Sequence, residues 1–170
     1  MEQLIIPEEL KNFKMKKQTF FEGEVTLMLP DFMNPMPEKE NNAPFTKMFV
    51  SENTLVSLQN NAVFAIYKKD KDEAVKNAEA FTDAQIKVLP RMVPGYAELG
   101  RGNKNINGCK VRCVQYKSYA VDKDMNNIFF CFETDEKIIY GFFSTPYYMY
   151  KVWTDIFLTF IETLKIGHAN

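Results

Sequence analysis

The sequence predicts an α+β fold in which an antiparallel β-sheet is flanked by helices and a long C-terminal amphipathic helix lies on the sheet. Three observations carry this. Short apolar or β-branched runs alternate with clusters of polar turn residues along most of the chain. Between residues 70 and 90 the apolar positions recur instead every three to four residues, the period of a helix. From Met149 to Leu164 they do so again, with polar residues on the opposite face.

Taken in order, Pro7 suits the first turn of a short helix over Glu8–Asn12. Lys17–Phe21 and Glu24–Leu29 flank Glu22-Gly23 and read as a strand pair, with Val25, Leu27 and Leu29 on one face. Pro30 to Thr46 holds four of the eight prolines and reads as a long loop, because proline removes the donors that a ladder needs. Lys47–Val50, Thr54–Leu58 and Ala62–Lys68, separated by polar turns, form a three-strand meander. Asp70 or Asp72 caps the first substantial helix, in which Val75, Ala78, Phe81 or Thr82, Gln85, Ile86 and Leu89 recur before Pro90 and Pro94-Gly95 stop it. Tyr96–Leu99, Cys109–Tyr119, Asn127–Glu133 and Lys137–Ser144 are further strands, with turns at Gly100–Asn103 and Thr134–Glu136, and the last two form a hairpin. Thr145 caps the final helix, Pro146 opens it, and Gly167 ends it.

A chain of 170 residues, 46% apolar and 25% charged, has the size and composition of one domain, 1–170. It can bury roughly 70% of its unfolded surface and needs neither disulfide nor metal for stability. The formal net charge of -1 disfavours nucleic acid as a partner. His168 is the only histidine and stands at the C-terminal end, which argues against histidine catalysis and multi-histidine metal sites. The N-terminus has no basic region followed by an apolar core, and no apolar run reaches the roughly 18 residues of a membrane span. With Cys109, Cys113 and Cys131 read as reduced thiols, the chain is expected in the cytoplasm.

Along the elements, Val25-Thr26-Leu27-Met28-Leu29-Pro30-Asp31-Phe32 is a strand running into a proline, and a central helix follows it. Ile106-Asn107-Gly108-Cys109-Lys110-Val111 then leads into a long strand, and an aromatic hairpin precedes the helix ending Phe160-Ile161-Glu162-Thr163-Leu164-Lys165-Ile166. This order, over about residues 18–166, resembles the PsbP-like superfamily, which includes photosystem PsbP, the Ran-binding protein Mog and bacterial DcrB-type domains. The resemblance implies an antiparallel sheet flanked by helices, no shared catalytic apparatus, and binding of other proteins. Some bacterial relatives are similar to adaptor chaperones for hydrophobic segments. The proline-rich stretch from Pro30 to Thr46 departs from the compact family pattern.

Candidate chemistry is sparse. Cys109 and Cys113 share a strand face but lie about 13 Å apart at roughly 3.3 Å per residue, too far to hold one zinc ion. Gly100-Arg101-Gly102-Asn103 lacks the glycine spacing and lysine of a phosphate loop and reads as a turn. Lys11, Lys14, Lys16 and Lys17 are bracketed by acids and read as a solvated face. Asp122, Asp124, Asn126 and Asn127 lack the glycine and glutamate of a calcium loop, and turn chemistry explains them. No metal site and no cofactor are predicted. Phe32, Met33, Met36 and Phe45 stand in the proline-rich segment, and they are either a contact patch for an apolar partner segment or a cover over a sheet edge. The expected function is a non-catalytic protein-binding module, an adaptor or chaperone with a protein partner. The alternative is a carrier of a small hydrophobic ligand or lipid, enclosed by the aromatic residues of the hairpin.

Overall fold

Alternating apolar residues place side chains on both faces of one large sheet, and each face acquires its own cover. The computed structural model describes residues 4–36 and 53–167. In chain order it has α1 (Glu8–Lys11), β1 (Met15–Phe20), β2 (Val25–Pro30), β3 (Asn34–Pro35), β4 (Thr54–Ser57), β5 (Ala62–Asp70) and α2 (Ala78–Met92). There follow β6 (Ala97–Ile106), β7 (Cys109–Ala120), β8 (Lys123–Glu133), β9 (Lys137–Pro146), α3 (Tyr150–Ile161) and β10 (Lys165–Ile166). Seven strands form one antiparallel sheet in the order β3-β4-β5-β9-β8-β7-β6, and β1-β2-β10 form a smaller one.

On β8, Ile128, Phe130 and Phe132 point to one face, as period two requires. There they meet Trp153, Phe157 and Phe160 of α3 and Val25, Leu27 and Leu29 of β2. Phe129 and Cys131 point to the other face and pack with Ala78, Phe81 and Leu89 of α2. Burying each such phenylalanine is worth about 1.5–3 kcal/mol, so the aromatic hairpin anchors both layers. Stacking adds directionality: Phe64 and Phe130 lie parallel at 5.7 Å, and Phe143 meets Phe160 edge-on at 5.1 Å.

Both sheet faces carry a short buried polar network where β7, β8 and β9 run side by side. Gln115 Nε2 donates to Asn126 Oδ1 and to Thr154 Oγ1 on α3, each at 2.8 Å, and Asn126 Nδ2 donates to Thr145 Oγ1 at 3.2 Å. On the opposite face Asn127 Nδ2 donates to Ser118 Oγ at 2.8 Å, and Ser144 Oγ donates to Asn127 Oδ1 at 2.7 Å. Asn126 and Asn127 are therefore strand residues rather than turn residues. Their amides find partners across the ladder, which offsets the cost of burying them.

Several boundaries differ from the sequence reading, each for a local reason. The cap of α2 is Asn77, whose Oδ1 accepts from Ala80 N at 2.8 Å, while Asp72 closes a turn of its own by accepting from Val75 N at 2.7 Å. The helix runs past Pro90 to Met92, because Pro90 sits on the exposed side of the last turn, where its missing N–H costs one ladder bond. Gly100–Asn103 is strand, not turn: these residues pair with Gln115 to Arg112 of β7. The turn is Asn107-Gly108, both at positive φ (48° and 81°), the two-residue geometry that Asn-Gly favours in hairpins. Thr145 is a buried residue of β9 and no cap, and Pro146 opens a 3-10 turn, Tyr147–Met149, ahead of α3. That helix ends at Ile161. Thr163 Oγ1 then accepts from Met28 N at 2.8 Å, and Gly167 N donates to Glu24 O at 2.8 Å. The predicted strand at Lys47–Val50 lies outside the described residues.

Candidate functional site

Two hairpin turns and the end of the C-terminal strand meet at one end of the large sheet and line an open cleft of about 980 Å³. The first is Asn107-Gly108, tethered by Asn107 Nδ2 donating to Leu164 O at 2.7 Å. The second is Thr134–Glu136 between β8 and β9, where Thr134 Oγ1 accepts from Lys137 N at 3.1 Å. The third is the stretch Ile166-Gly167, held against Glu24 by the ladder between β10 and β2. Gly167 belongs there because a Cβ would stand 2.6 Å from the Gly23 carbonyl oxygen.

The cleft is rich in charge, and most of that charge is paired. Lys71 Nζ lies 2.6 Å from Glu133, Lys68 lies 3.2 Å from Glu24, and Arg112 lies 3.4 Å from Glu79. Lys137 bonds Asp70. Glu133 also accepts from the Ala78 N–H at 3.2 Å, at the first turn of α2, where the helix dipole favours an anion. Burial alone would raise the Glu133 pKa, but hydrogen bonds from Lys71 and Ala78 outweigh it and hold the carboxyl below its ordinary 4.5. The Lys137 hydrogen bond likewise lowers Asp70.

These shifts have a signed consequence. A lowered folded-state pKa adds stability that is fully present above pH 4.5 and lost as pH falls through the folded value. Glu133→Gln is therefore expected to melt below the wild type at pH 7, with a smaller gap at an acidic pH below 4.5. Partial exposure keeps the effect near or under about 1 kcal/mol. Thermal melts of both proteins at the two pH values check it, and a gap independent of pH would show that Glu133 acts through packing alone.

The thiols are quiet. Burial pushes Cys109, on the cleft wall, up to about 11, and Cys113 and Cys131 up to about 12. All three stay protonated at neutral pH and are weak nucleophiles. Among the described residues no three His, Cys, Asp or Glu side chains gather as a metal site. What the cleft offers is charge of both signs, most of it paired, and the backbone of two turns.

Of the predicted patch, Phe32 and Met33 are buried. Phe32 is 7% exposed and Met33 1%; Phe32 packs edge-on against Phe13 at 5.4 Å and Trp153 at 6.1 Å. Met36 is half-buried, and Phe45 lies outside the described residues. Phe32 borders a shallow groove of about 280 Å³ beside Glu9, Pro35 and Leu58, well apart from the larger cleft. Phe32→Ser is accordingly expected to cost about 2 kcal/mol, and Met36→Ser less than about 1. Urea titrations separate the two, and equal small losses would place Phe32 on the surface. Lys14, Lys16 and Lys17 are exposed. The cleft escapes a reading by periodicity because its walls are turns, although the Asn107-Gly108 dipeptide is itself a hairpin signal.

The architecture defines a class: an antiparallel α+β domain with the PsbP-like fold. It is similar to cyanobacterial PsbP from Synechocystis, with a TM-score of 0.61, 10% identity, and coverage of 90% of this chain and 92% of that one. It is likewise similar to LpqN of Mycobacterium tuberculosis, a protein involved in cell envelope biogenesis, at a TM-score of 0.62 and 9% identity over 94% and 95%. A Pseudomonas aeruginosa protein of unknown function matches at a TM-score of 0.50 and 14% identity over 92% and 99%. At these identities the likeness is one of fold. No protein-family model matches the sequence, nor does any curated protein. Among the described residues no helix is long and apolar enough to cross a membrane.

Proposed function

We propose that the protein is a non-catalytic, cytoplasmic protein-binding module, an adaptor that holds a segment of a partner polypeptide. The observation that carries this reading is the open, charge-lined cleft built from two hairpin turns and the C-terminal strand end at one end of the sheet. Loops set on a rigid sheet are the usual place for recognition. The buried Cys109 thiol stays protonated and Glu133 is held below its ordinary pKa, so neither is an activated nucleophile or a poised general acid, which supports binding over catalysis. A hydrophobic carrier calls for an enclosed apolar cavity, and the cleft is open and polar. The geometry thus favours a polar or charged segment over the apolar one expected from sequence.

Lys110 and Glu136 are exposed residues of the cleft wall. Immobilised wild-type protein should retain a polypeptide from the native organism's lysate that the Lys110→Glu, Glu136→Lys double variant releases, with both proteins folded by circular dichroism. Zero-length carbodiimide cross-links should then map to Lys110 or Glu136. Retention of the same polypeptides by both proteins, or a lipid bound to the wild type in its native mass spectrum, would overturn the reading.

A further inference from the structure

We propose that Asn107 is a self-modification site: its side-chain amide is lost by reaction with the Gly108 backbone, and the carboxylate left behind releases the C-terminal strand from the cleft. Asn107-Gly108 is the only asparagine followed by glycine among the 170 residues. It forms the turn between β6 and β7, and both residues are exposed. The reaction requires the Gly108 backbone nitrogen to reach the Asn107 Cγ, and glycine has no Cβ to obstruct that approach. Asn105, two residues earlier, is followed by Ile106, whose branched side chain obstructs it. The Gly108 nitrogen bonds to Cγ, the Cγ–Nδ2 bond breaks, and Nδ2 leaves as ammonia with the proton that the Gly108 nitrogen gives up. Water then opens the cyclic imide at either carbonyl. One opening leaves aspartate at position 107, and the other leaves isoaspartate, with the chain running through the side-chain carboxyl. Either way one water is consumed, one ammonia is released and one negative charge is added, with no oxidant or reductant.

The fold gives this amide a task, which makes its loss consequential. Asn107 Nδ2 donates to Leu164 O at 2.7 Å and so ties the β6–β7 turn to the chain just ahead of β10. β10 is only Lys165–Ile166, paired with Thr26 and Val25, with one further bond from Gly167 N to Glu24 O. A ladder this short at the end of the folded chain opens at low cost, and each opening frees the amide to react. A carboxylate at position 107 has no N–H to give, and it meets the Leu164 carbonyl as acceptor against acceptor. The tether therefore cannot re-form, and the loosening runs one way. Because Ile166 and Gly167 line the cleft together with Asn107 and Gly108, chains that have reacted differ from new ones in the firmness of that wall. The inference concerns the covalent state of the cleft and holds whatever the cleft binds.

The test incubates the full chain warm at neutral pH and maps its asparagines by tandem mass spectrometry. Asn107 should convert about tenfold faster than Asn105 or any other asparagine. The converted fraction, separated by anion exchange, and Asn107→Asp, made directly, are then compared with fresh protein by amide hydrogen exchange. Aspartate tolerates positive φ as asparagine does, so the variant keeps the turn and changes the amide alone. In both samples residues 165–167 should exchange about tenfold faster, the fold-change that loss of one hydrogen bond gives, while β7, β8 and β9 keep their protection. An Asn107 that stays intact, or faster conversion at another asparagine, overturns the site. Unchanged exchange at 165–167 in either sample, or protection lost evenly over the whole chain, overturns the tether and with it the proposal.

Discussion

Trp153→Ala is expected to lower the free energy of unfolding by about 4 kcal/mol, the largest loss from any single truncation on this face of the sheet. Trp153 is 0% exposed and lies at the junction of three elements: α3, the Phe143 ring of β9 at 5.7 Å, and Phe32 after β2 at 6.1 Å. Removing it opens a cavity that rigid sheet residues on one side and helix residues on the other cannot both collapse into. At about 2–4 °C per kcal/mol for a chain of this size, the melting temperature should fall by roughly 10 °C. Trp153→Phe should behave differently. The indole N–H has no hydrogen-bond partner among the described residues, so the smaller ring removes an unsatisfied donor along with some volume. Its cost should stay under about 1.5 kcal/mol. Because the chain has one tryptophan, both variants are followed by circular dichroism rather than fluorescence. Equal losses from the two variants would mean that the indole nitrogen is bonded in solution.

Gly141→Ala should cost about 3 kcal/mol, although it adds one methyl group. Gly141 sits mid-strand in β9, opposite Ile66 of β5 and Phe130 of β8. A Cβ there would fall inside contact distance of the Phe130 ring and the Ala65 carbonyl oxygen. The Phe130 ring covers the glycine and in turn stacks on Phe64, so relief would have to come from moving a stacked pair or the central ladder. The double variant with Phe130→Leu should recover part of the loss, since the methyl group and the ring compete for one space. Strict additivity in urea titrations would show that the clash is with backbone alone.

Much of the architecture is legible from local spacing. Ile128, Phe130 and Phe132 alternate with Phe129 and Cys131, and the chain cannot place those two sets on the same face of a strand. The stripe Trp153, Ile156, Phe157 and Phe160 likewise turns inward because 3.6 residues make a turn. Where signals of similar strength competed, the reading slipped. Asn77, Asp70 and Asp72 are all good caps, and which one starts α2 depends on where Glu133 and Cys131 receive the first turn. Glycines at 100 and 102 imitate a turn, yet β7 supplies a ladder that holds them extended.

The candidate site was less legible, because it consists of polar turns without a period of their own. Phe32 and Met33 stand among prolines and read equally as surface or cover, and Trp153 and Phe13 decide for burial. Asn107, Thr134 and Gly167 look unrelated in sequence and become neighbours only once β6–β7, β8–β9 and the C-terminal strand are folded together.

The sequence by itself determined the two sided faces of the aromatic strands, the amphipathic helices and the absence of histidine-based chemistry from positions 1–167. These follow from spacing and residue type, which act over a few residues. Only the tertiary structure decided which faces are covered, which turns meet at the cleft, and that β6 stands exposed along its length. Those outcomes depend on contacts between residues far apart in the chain, whose free energies are gained only when the whole sheet forms.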